Sequence, residues 1–542
     1  MQSVDSYSSL ADMLERSVAL HGDRVACSAL GGNLTYNALW THAGHWAAWL
    51  QSLALPEKSR VAIMLPNVMA SLVSLLGTLR AGHVVVNVNP LYTPRELCAQ
   101  LTDSEPDVII VFEAFASVLA KVPQDIRPKH VVVVSPGDLL GGFKRLLVNW
   151  VVRYVKRRVP AWSLPGSLHL REVLRVGAHC SLMPVLIKPD DLAFLQYTGG
   201  TTGEPRAAML SHHNVMANVL QVEDIAKPVL HDLLPQPLTM LTALPLYHVF
   251  AMTVCALYPL HAGMRTVLVI NPRDLPALTA IWRQEQPHIF PAVNTLFQAL
   301  LRHKPFQALD FSRLRIALGG GMAVHASVAK QWQALTGRTI VEGYGMSETS
   351  PVICANPTDT EVFSGTVGLP LPGTVVQILD DHQEPVPDGQ AGEIAVKGPQ
   401  VMLGYWRAPA ATAAAMTAEQ FLLTGDIGVR EPQGFIRIID RKKDMVNVSG
   451  FNVYPAEVDA VFAAHPDVLD CACVGVPDSG TGEAVKLFVV AAQPNIDLAS
   501  LSRWGNERLT GYKRPREIVL VESLPKNPVG KTLRRLLKDV NA

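Results

Sequence analysis

Leu192-Ala193-Phe194-Leu195-Gln196-Tyr197-Thr198-Gly199-Gly200-Thr201-Thr202-Gly203-Glu204-Pro205-Arg206-Ala207-Ala208-Met209-Leu210 decides how this chain is read. An apolar run of strand length, Leu192 to Gln196, enters a loop rich in glycine and threonine, and a second apolar run, Ala207 to Leu210, leaves it. The glycines let the backbone turn its N–H groups toward one point and the threonine hydroxyls add donors, a combination that suits a phosphate. It is not a Walker loop: no Gly-Lys-Ser/Thr follows, and the next segment is extended before Ser211 can cap a helix. Taken alone, the same residues also make an ordinary hairpin turn.

Around this stretch, from about residue 60 to 340, β-branched runs alternate with apolar helical patterns: Val61 to Met64, Val84 to Val88, Val108 to Phe112, Val131 to Val134 and Val267 to Ile270. That spacing predicts α/β layers with largely parallel sheets. From about residue 360 to 440, Gly/Pro turns separate short strands, as in Val375 to Leu379, Glu393 to Val396 and Gly434 to Ile439, an antiparallel β pattern. After Arg441 come a strand Met445 to Val448, a helix opened by Pro455, strands near Cys471 to Val476 and Val485 to Val490, a helix from Leu498 and a strand Ile518 to Val521. This order predicts a small α+β domain of about one hundred residues. The charged run Asp440-Arg441-Lys442-Lys443-Asp444 marks the boundary, giving domains 1–440 and 441–542.

A chain of 542 residues with 49% hydrophobic and 17% charged residues excludes a single small module and a disordered polymer. Lysine plus arginine and aspartate plus glutamate each number 47, so no global field favours nucleic acid and any anion must be bound locally. The 7 cysteines form no C-x-x-C pair and suit a reducing compartment. The first thirty residues carry Asp5, Asp12 and Glu15 and lack a signal-peptide pattern, so a cytoplasmic location is expected.

The mean hydropathy of +0.19 is on the apolar side, and residues 233–264 contain no charged side chain. Pro235, Pro237, Pro245 and Pro259 and the polar pair Tyr247-His248 argue against a spanning helix, leaving buried strand and helix lining an apolar cavity. Residues 143–162 interleave Lys144, Arg145, Arg153, Lys156, Arg157 and Arg158 with apolar side chains and contain no acid. If helical as far as Pro160, this segment suits either an interfacial helix on the inner face of the cytoplasmic membrane or a core-packed helix with a solvated basic face.

Downstream of the loop lie Gly319-Gly320-Gly321, Gly343-Tyr344-Gly345-Met346-Ser347-Glu348, Thr424-Gly425-Asp426, the charged run at 440–444 and Pro528-Val529-Gly530-Lys531. They supply what nucleotide handling requires: an aromatic for a base, acids for ribose hydroxyls and Mg²⁺, and cations for phosphate. In this order they resemble the adenylate-forming acyl-CoA synthetase superfamily. Leu244-Pro245-Leu246-Tyr247-His248 and Ser449-Gly450-Phe451-Asn452-Val453-Tyr454-Pro455 are similar to segments of its bacterial long-chain fatty-acid CoA ligases.

The resemblance runs from about Asp23 to Lys538 and implies an α/β protein. Its large N-terminal domain would hold two α/β subdomains and a β-barrel-like subdomain, followed by a small mobile α+β lid. It implies ATP-dependent activation of a fatty acid to acyl-AMP, with loss of pyrophosphate, and then transfer to coenzyme A. Lys531 matches the catalytic lysine and Glu348 the Mg²⁺-binding acid. Thr198, Gly199, Gly200, Thr201, Thr202 and Gly203 would cradle the β/γ-phosphates, Ser347 the α-phosphate. Tyr344 would stack on adenine beside Gly320 and Gly321, while Asp426 and Arg441 hold the ribose. Lys443 matches the hinge, Gly450 the CoA path, and Tyr247 and His248 the acyl pocket.

Three positions depart from the family pattern. Arg206 and Ala207 replace a lysine and a glycine, and Ser347 replaces a threonine. Arginine keeps the charge, so Arg206 is grouped with Lys531 and Glu348 as catalytic. The residues leave open a medium-chain or aryl acid, a carrier-protein thiol as acceptor, or a lipid-binding protein without turnover.

Overall fold

A computed structural model describes residues 3–198, 206–233, 236–449, 451–478, 480–493, 496–526 and 531–538. Within them the β-branched runs become strands close to where the pattern puts them. Arg60–Met64, Val84–Asn87, Val108–Phe112, His130–Val134 and Leu192–Thr198 lie in one parallel array, with Arg206–Ser211 antiparallel at its edge. A second array sets Val25–Ala29, Arg265–Leu268, Thr239–Thr242, Ile289–Ala292, Ile316–Gly319 and Ile340–Gly345 parallel to one another.

The helix Met69–Arg80 lies in the core shared by these arrays. Every residue from Met69 to Leu79 is buried, as expected for a helix covered on all sides rather than along one stripe. Gly77 permits its close approach to the helix Tyr36–Ser52, since a Cβ there would sit 2.5 Å from the Ala43 carbonyl oxygen. The buried Trp46 Nε1 donates to Thr78 Oγ1 at 3.1 Å across the same contact. A separate aromatic core, including Trp282, Phe290, Phe297, Phe306 and Trp332, packs beside the second array.

Where a barrel-like subdomain is expected, Val375–Leu379, Gly392–Lys397, Leu422–Arg430 and Ile436–Arg441 pair antiparallel. The last part of the chain is α+β. Gly482–Ala491 pairs antiparallel with Val468–Asp478 and parallel with Glu517–Leu520, flanked by helices Pro455–Ala463 and Leu498–Arg508. The charged run spans the end of Ile436–Arg441 and a single turn, Lys442–Asp444.

The uncharged stretch is interior: strand Thr239–Thr242, a wide helical turn Ala251–Leu257 and helix Tyr258–His261 are almost wholly buried. Among the described residues no helix is long and apolar enough to cross a membrane. The basic segment forms the helix Gly142–Trp150 and a wider turn, Val151–Val155. It ends short of the expected Pro160 because Arg157 turns into the left-handed region, with φ 46°.

Candidate functional site

The parallel strands deliver their carboxyl ends to one edge, the usual place for a ligand in open α/β sheets. Leu192–Thr198 and Arg206–Ser211 pair antiparallel with Thr198 opposite Arg206, so both threonine and arginine stand at the mouth of the loop between them. Gly199, Gly200, Thr201, Thr202 and Gly203 lie outside the described residues, as does Gly450. Ser211 caps the next helix by accepting from Asn214 N at 3.1 Å, as its position suggested.

Ile316–Gly319 ends in Gly320 and Gly321, and the neighbouring Ile340–Gly345 carries Tyr344 at its own end. A Cβ on Gly320 would meet Phe250 ring atoms at 2.8 and 2.9 Å, and Gly321 has φ +77°, so each glycine answers a local requirement. Tyr344 is buried, and its hydroxyl donates to Asp426 Oδ2 at 2.5 Å. Asp426 and Arg441 are direct partners in the ladder of Leu422–Arg430 with Ile436–Arg441, and Arg441 Nε reaches Asp426 Oδ1 at 2.6 Å. Burial, and then the Asp426 carboxylate, push the Tyr344 phenol well above its usual range, so it stays a donor.

Ser347 and Glu348 belong to the turn Ser347–Thr349 that follows this strand. Glu348 is buried, and burial raises its pKa while the Tyr405 hydroxyl, donating to Oε1 at 2.8 Å, opposes the rise. Tyr405 is held there by strand Gly404–Tyr405, which pairs with Arg206–Ser211. The exposed Arg206 guanidinium lies 5.8 Å from the Tyr405 ring centre. Sequence reasoning missed Tyr405; its one signal was the aromatic pair Tyr405-Trp406 after Gly404.

Lys531 comes from the far end of the chain into the same neighbourhood. Its pKa is lowered to about 8, chiefly by burial and next by Arg441, with Asp426 opposing the fall. Lys443 sits in the single turn joining the two parts of the chain, and beside it Asp440 Oδ2 accepts from Ala456 N at 2.6 Å.

Tyr247 and His248 stand on a loop that buried amides fix to the first array. Asn67 Nδ2 donates to the Leu244 carbonyl at 2.8 Å, Asn67 Oδ1 accepts from Leu246 N at 2.9 Å, and Gln196 Nε2 donates to the Tyr247 carbonyl at 3.1 Å. Burial lowers the His248 pKa to about 4, leaving a neutral imidazole. Tyr247 borders an apolar crevice with Leu72, Leu75, Leu246, Met252 and Ala256 whose free volume is about 10 Å³, the lower limit for one water.

A single buried carboxylate suits Mg²⁺, which keeps several waters and takes most other ligands from phosphates. The Glu348 carboxylate takes the Tyr405 hydroxyl on Oε1, and no cluster of three metal-ligating side chains occurs among the described residues. The donor set therefore fits that ion better than a cage-bound metal.

The AMP-binding enzyme family matches residues 14–406, and its C-terminal domain matches residues 457–531. A long-chain-fatty-acid–CoA ligase of Escherichia coli O6:H1 is 47% identical over 99% of this chain and 95% of its own. ATP-bound MatB from Rhodopseudomonas palustris has a TM-score of 0.81 at 27% identity, with 98% of each chain covered. The anthranilate CoA ligase AuaEII, solved with anthranoyl-AMP, has a TM-score of 0.86 at 23% identity over 99% of each chain, a likeness of fold.

Proposed function

This chain belongs to the AMP-binding enzyme family, and from that premise we infer that it is a long-chain fatty acid–CoA ligase. ATP activates the acid as acyl-AMP with release of pyrophosphate, and the CoA thiol then displaces AMP. The observation that carries the site assignment is the approach of Lys531, from the last part of the chain, to the Asp426–Arg441 pair.

In the first step a carboxylate oxygen attacks the α-phosphorus and the bond to the pyrophosphate oxygen breaks. The reactants repel one another, so charge placed between them dominates catalysis. The Lys531 ammonium bridges carboxylate and α-phosphate, Ser347 contacts that phosphate, and Arg206, with Thr198 and residues 199–203, holds the rest of the triphosphate. Tyr344, Gly320 and Gly321 border adenine, and Asp426 with Arg441 holds the ribose. Glu348 would hold Mg²⁺, which when bound supplies charge neutralisation to the triphosphate.

Lys531 stands where CoA must later approach, so residues 441–542 turn as a lid about Lys443 against the domain 1–440 and open a path beside Gly450. Tyr247 and His248 line the acyl entrance. The enzyme works in the cytoplasm against the membrane surface, through the basic segment 143–162.

A panel of acids of graded chain length, with ATP and Mg²⁺, tests this reading through AMP release with and without CoA. CoA-dependent release that rises with chain length is expected. No AMP with any acid overturns the enzyme reading, and release restricted to short or aryl acids overturns the long-chain one.

A further inference from the structure

The helix 142–155 is amphipathic the wrong way round for a core element. Phe143, Leu146, Leu147, Trp150 and Tyr154 follow the three-and-four spacing of one helical face, and that face is exposed, Phe143 to 77% and Trp150 to 55%. The helix is held to the body by Val148, which packs on the main core, and by polar groups: Asn149 Oδ1 accepts from Gly137 N at 2.6 Å, and Arg153 pairs with the buried Glu113. Lys144 Nζ donates to the Gly31 carbonyl at 2.5 Å. Lys144 and Arg153, read from the sequence as part of one cationic face, are thus engaged with the protein, whereas Lys156, Arg157 and Arg158 are exposed just past the helix.

We propose that this helix is the element that docks the protein on an anionic phospholipid bilayer, lying in the interface with its apolar stripe among the acyl chains. The inference deepens the membrane reading above and rests on it for the link to a lipid-dissolved acid. The occupant follows from charge and length. An apolar stripe ending in three cations, with no acid in residues 143–162, complements anionic headgroups over apolar chains. About 14 residues of helix reach some 21 Å, too short to span the hydrocarbon layer, so the helix lies on it. The ties to Glu113, Gly31 and Gly137 hold the stripe outward before contact, so docking requires no unfolding.

The test is co-sedimentation of the full chain with vesicles of phosphatidylethanolamine mixed with phosphatidylglycerol, and with vesicles of phosphatidylcholine alone. The unaltered protein is expected to bind the anionic vesicles and to bind phosphatidylcholine weakly. Leu146→Gln/Leu147→Gln/Trp150→Gln should lower partitioning about tenfold or more, and Lys156→Gln/Arg157→Asn/Arg158→Gln should lower it by about fivefold per charge. These side chains are on the surface, and AMP release with a short, water-soluble acid should be unchanged in both variants, which checks the fold and the enzyme reading separately. Equal vesicle binding by unaltered and variant proteins overturns the proposal. So does a change from dimer to monomer on the apolar substitutions in sedimentation velocity, which would make this face a subunit contact.

Discussion

Asp426 is held on both oxygens at once. Arg441, its partner across the ladder, takes Oδ1 at 2.6 Å, and the Tyr344 hydroxyl takes Oδ2 at 2.5 Å. The carboxylate is thereby fixed in orientation, and a ribose hydroxyl that binds it meets a preset acceptor.

Loss of charge at this point should therefore exceed loss of one hydrogen bond. Asp426→Asn is expected to lower kcat/KM for ATP by about a hundredfold, because Arg441 is left without its counter-charge. Tyr344→Phe should lower it by about fivefold, the worth of one hydrogen bond. ATP–pyrophosphate exchange measures both, and equal effects would contradict the assignment.

Lys531→Ala should depress acyl-AMP formation by about a thousandfold while leaving transfer from supplied acyl-AMP to CoA largely intact. Equal loss in both half-reactions would contradict a lid that serves one of them.

The Lys531 pKa of about 8 also sets a pH limit. The ammonium proposed to bridge the reactants is present below that value, so kcat/KM for adenylation should fall as pH rises through about 8. Lys531→Arg, slower overall, should lack this alkaline limb. For stability the sign is opposite: burying the charged form is unfavourable below about pH 8, and the penalty is relieved as pH rises toward the ordinary lysine value.

Tyr405→Phe removes the hydrogen bond that opposes the upward shift of Glu348, so the Glu348 pKa should rise further. The carboxylate would then be lost at a higher pH as the solution is acidified. Adenylation should require about tenfold more Mg²⁺, read from a metal titration at fixed ATP.

Leu72→Phe places extra ring atoms against the crevice beside Met252. The expected result is a loss of kcat/KM for long acids with activity on short acids retained, and a stability change of about 1–3 kcal/mol. A uniform loss across chain lengths would place the acyl chain elsewhere.

The sequence made the strands legible because each is a buried β-branched run, and Val108–Phe112 and Val375–Leu379 fall where their side chains predict. It could not reveal the pairing of Asp426 with Arg441, which depends on ladder register across a turn, or that Tyr405 reaches Glu348 from a two-residue strand. Residues 143–162 show the same limit. Composition revealed cations and apolar groups, but the direction of each face depended on Glu113, Gly31 and Gly137, all outside the segment. Local pattern carries periodicity; which partner turns a face inward is a tertiary fact.

The crevice by Tyr247 bears on selectivity in another way. With only about 10 Å³ open, it cannot act as a ruler waiting to be filled. On the placement proposed for the acyl chain, an acid enters by displacing side chains such as Met252 and Leu72, and the first opening costs about the same for any guest. Each methylene then returns about 0.8 kcal/mol. Preference for long acids then reflects how much of the opening each guest offsets: a short acid fits but turns over slowly, because it offsets less.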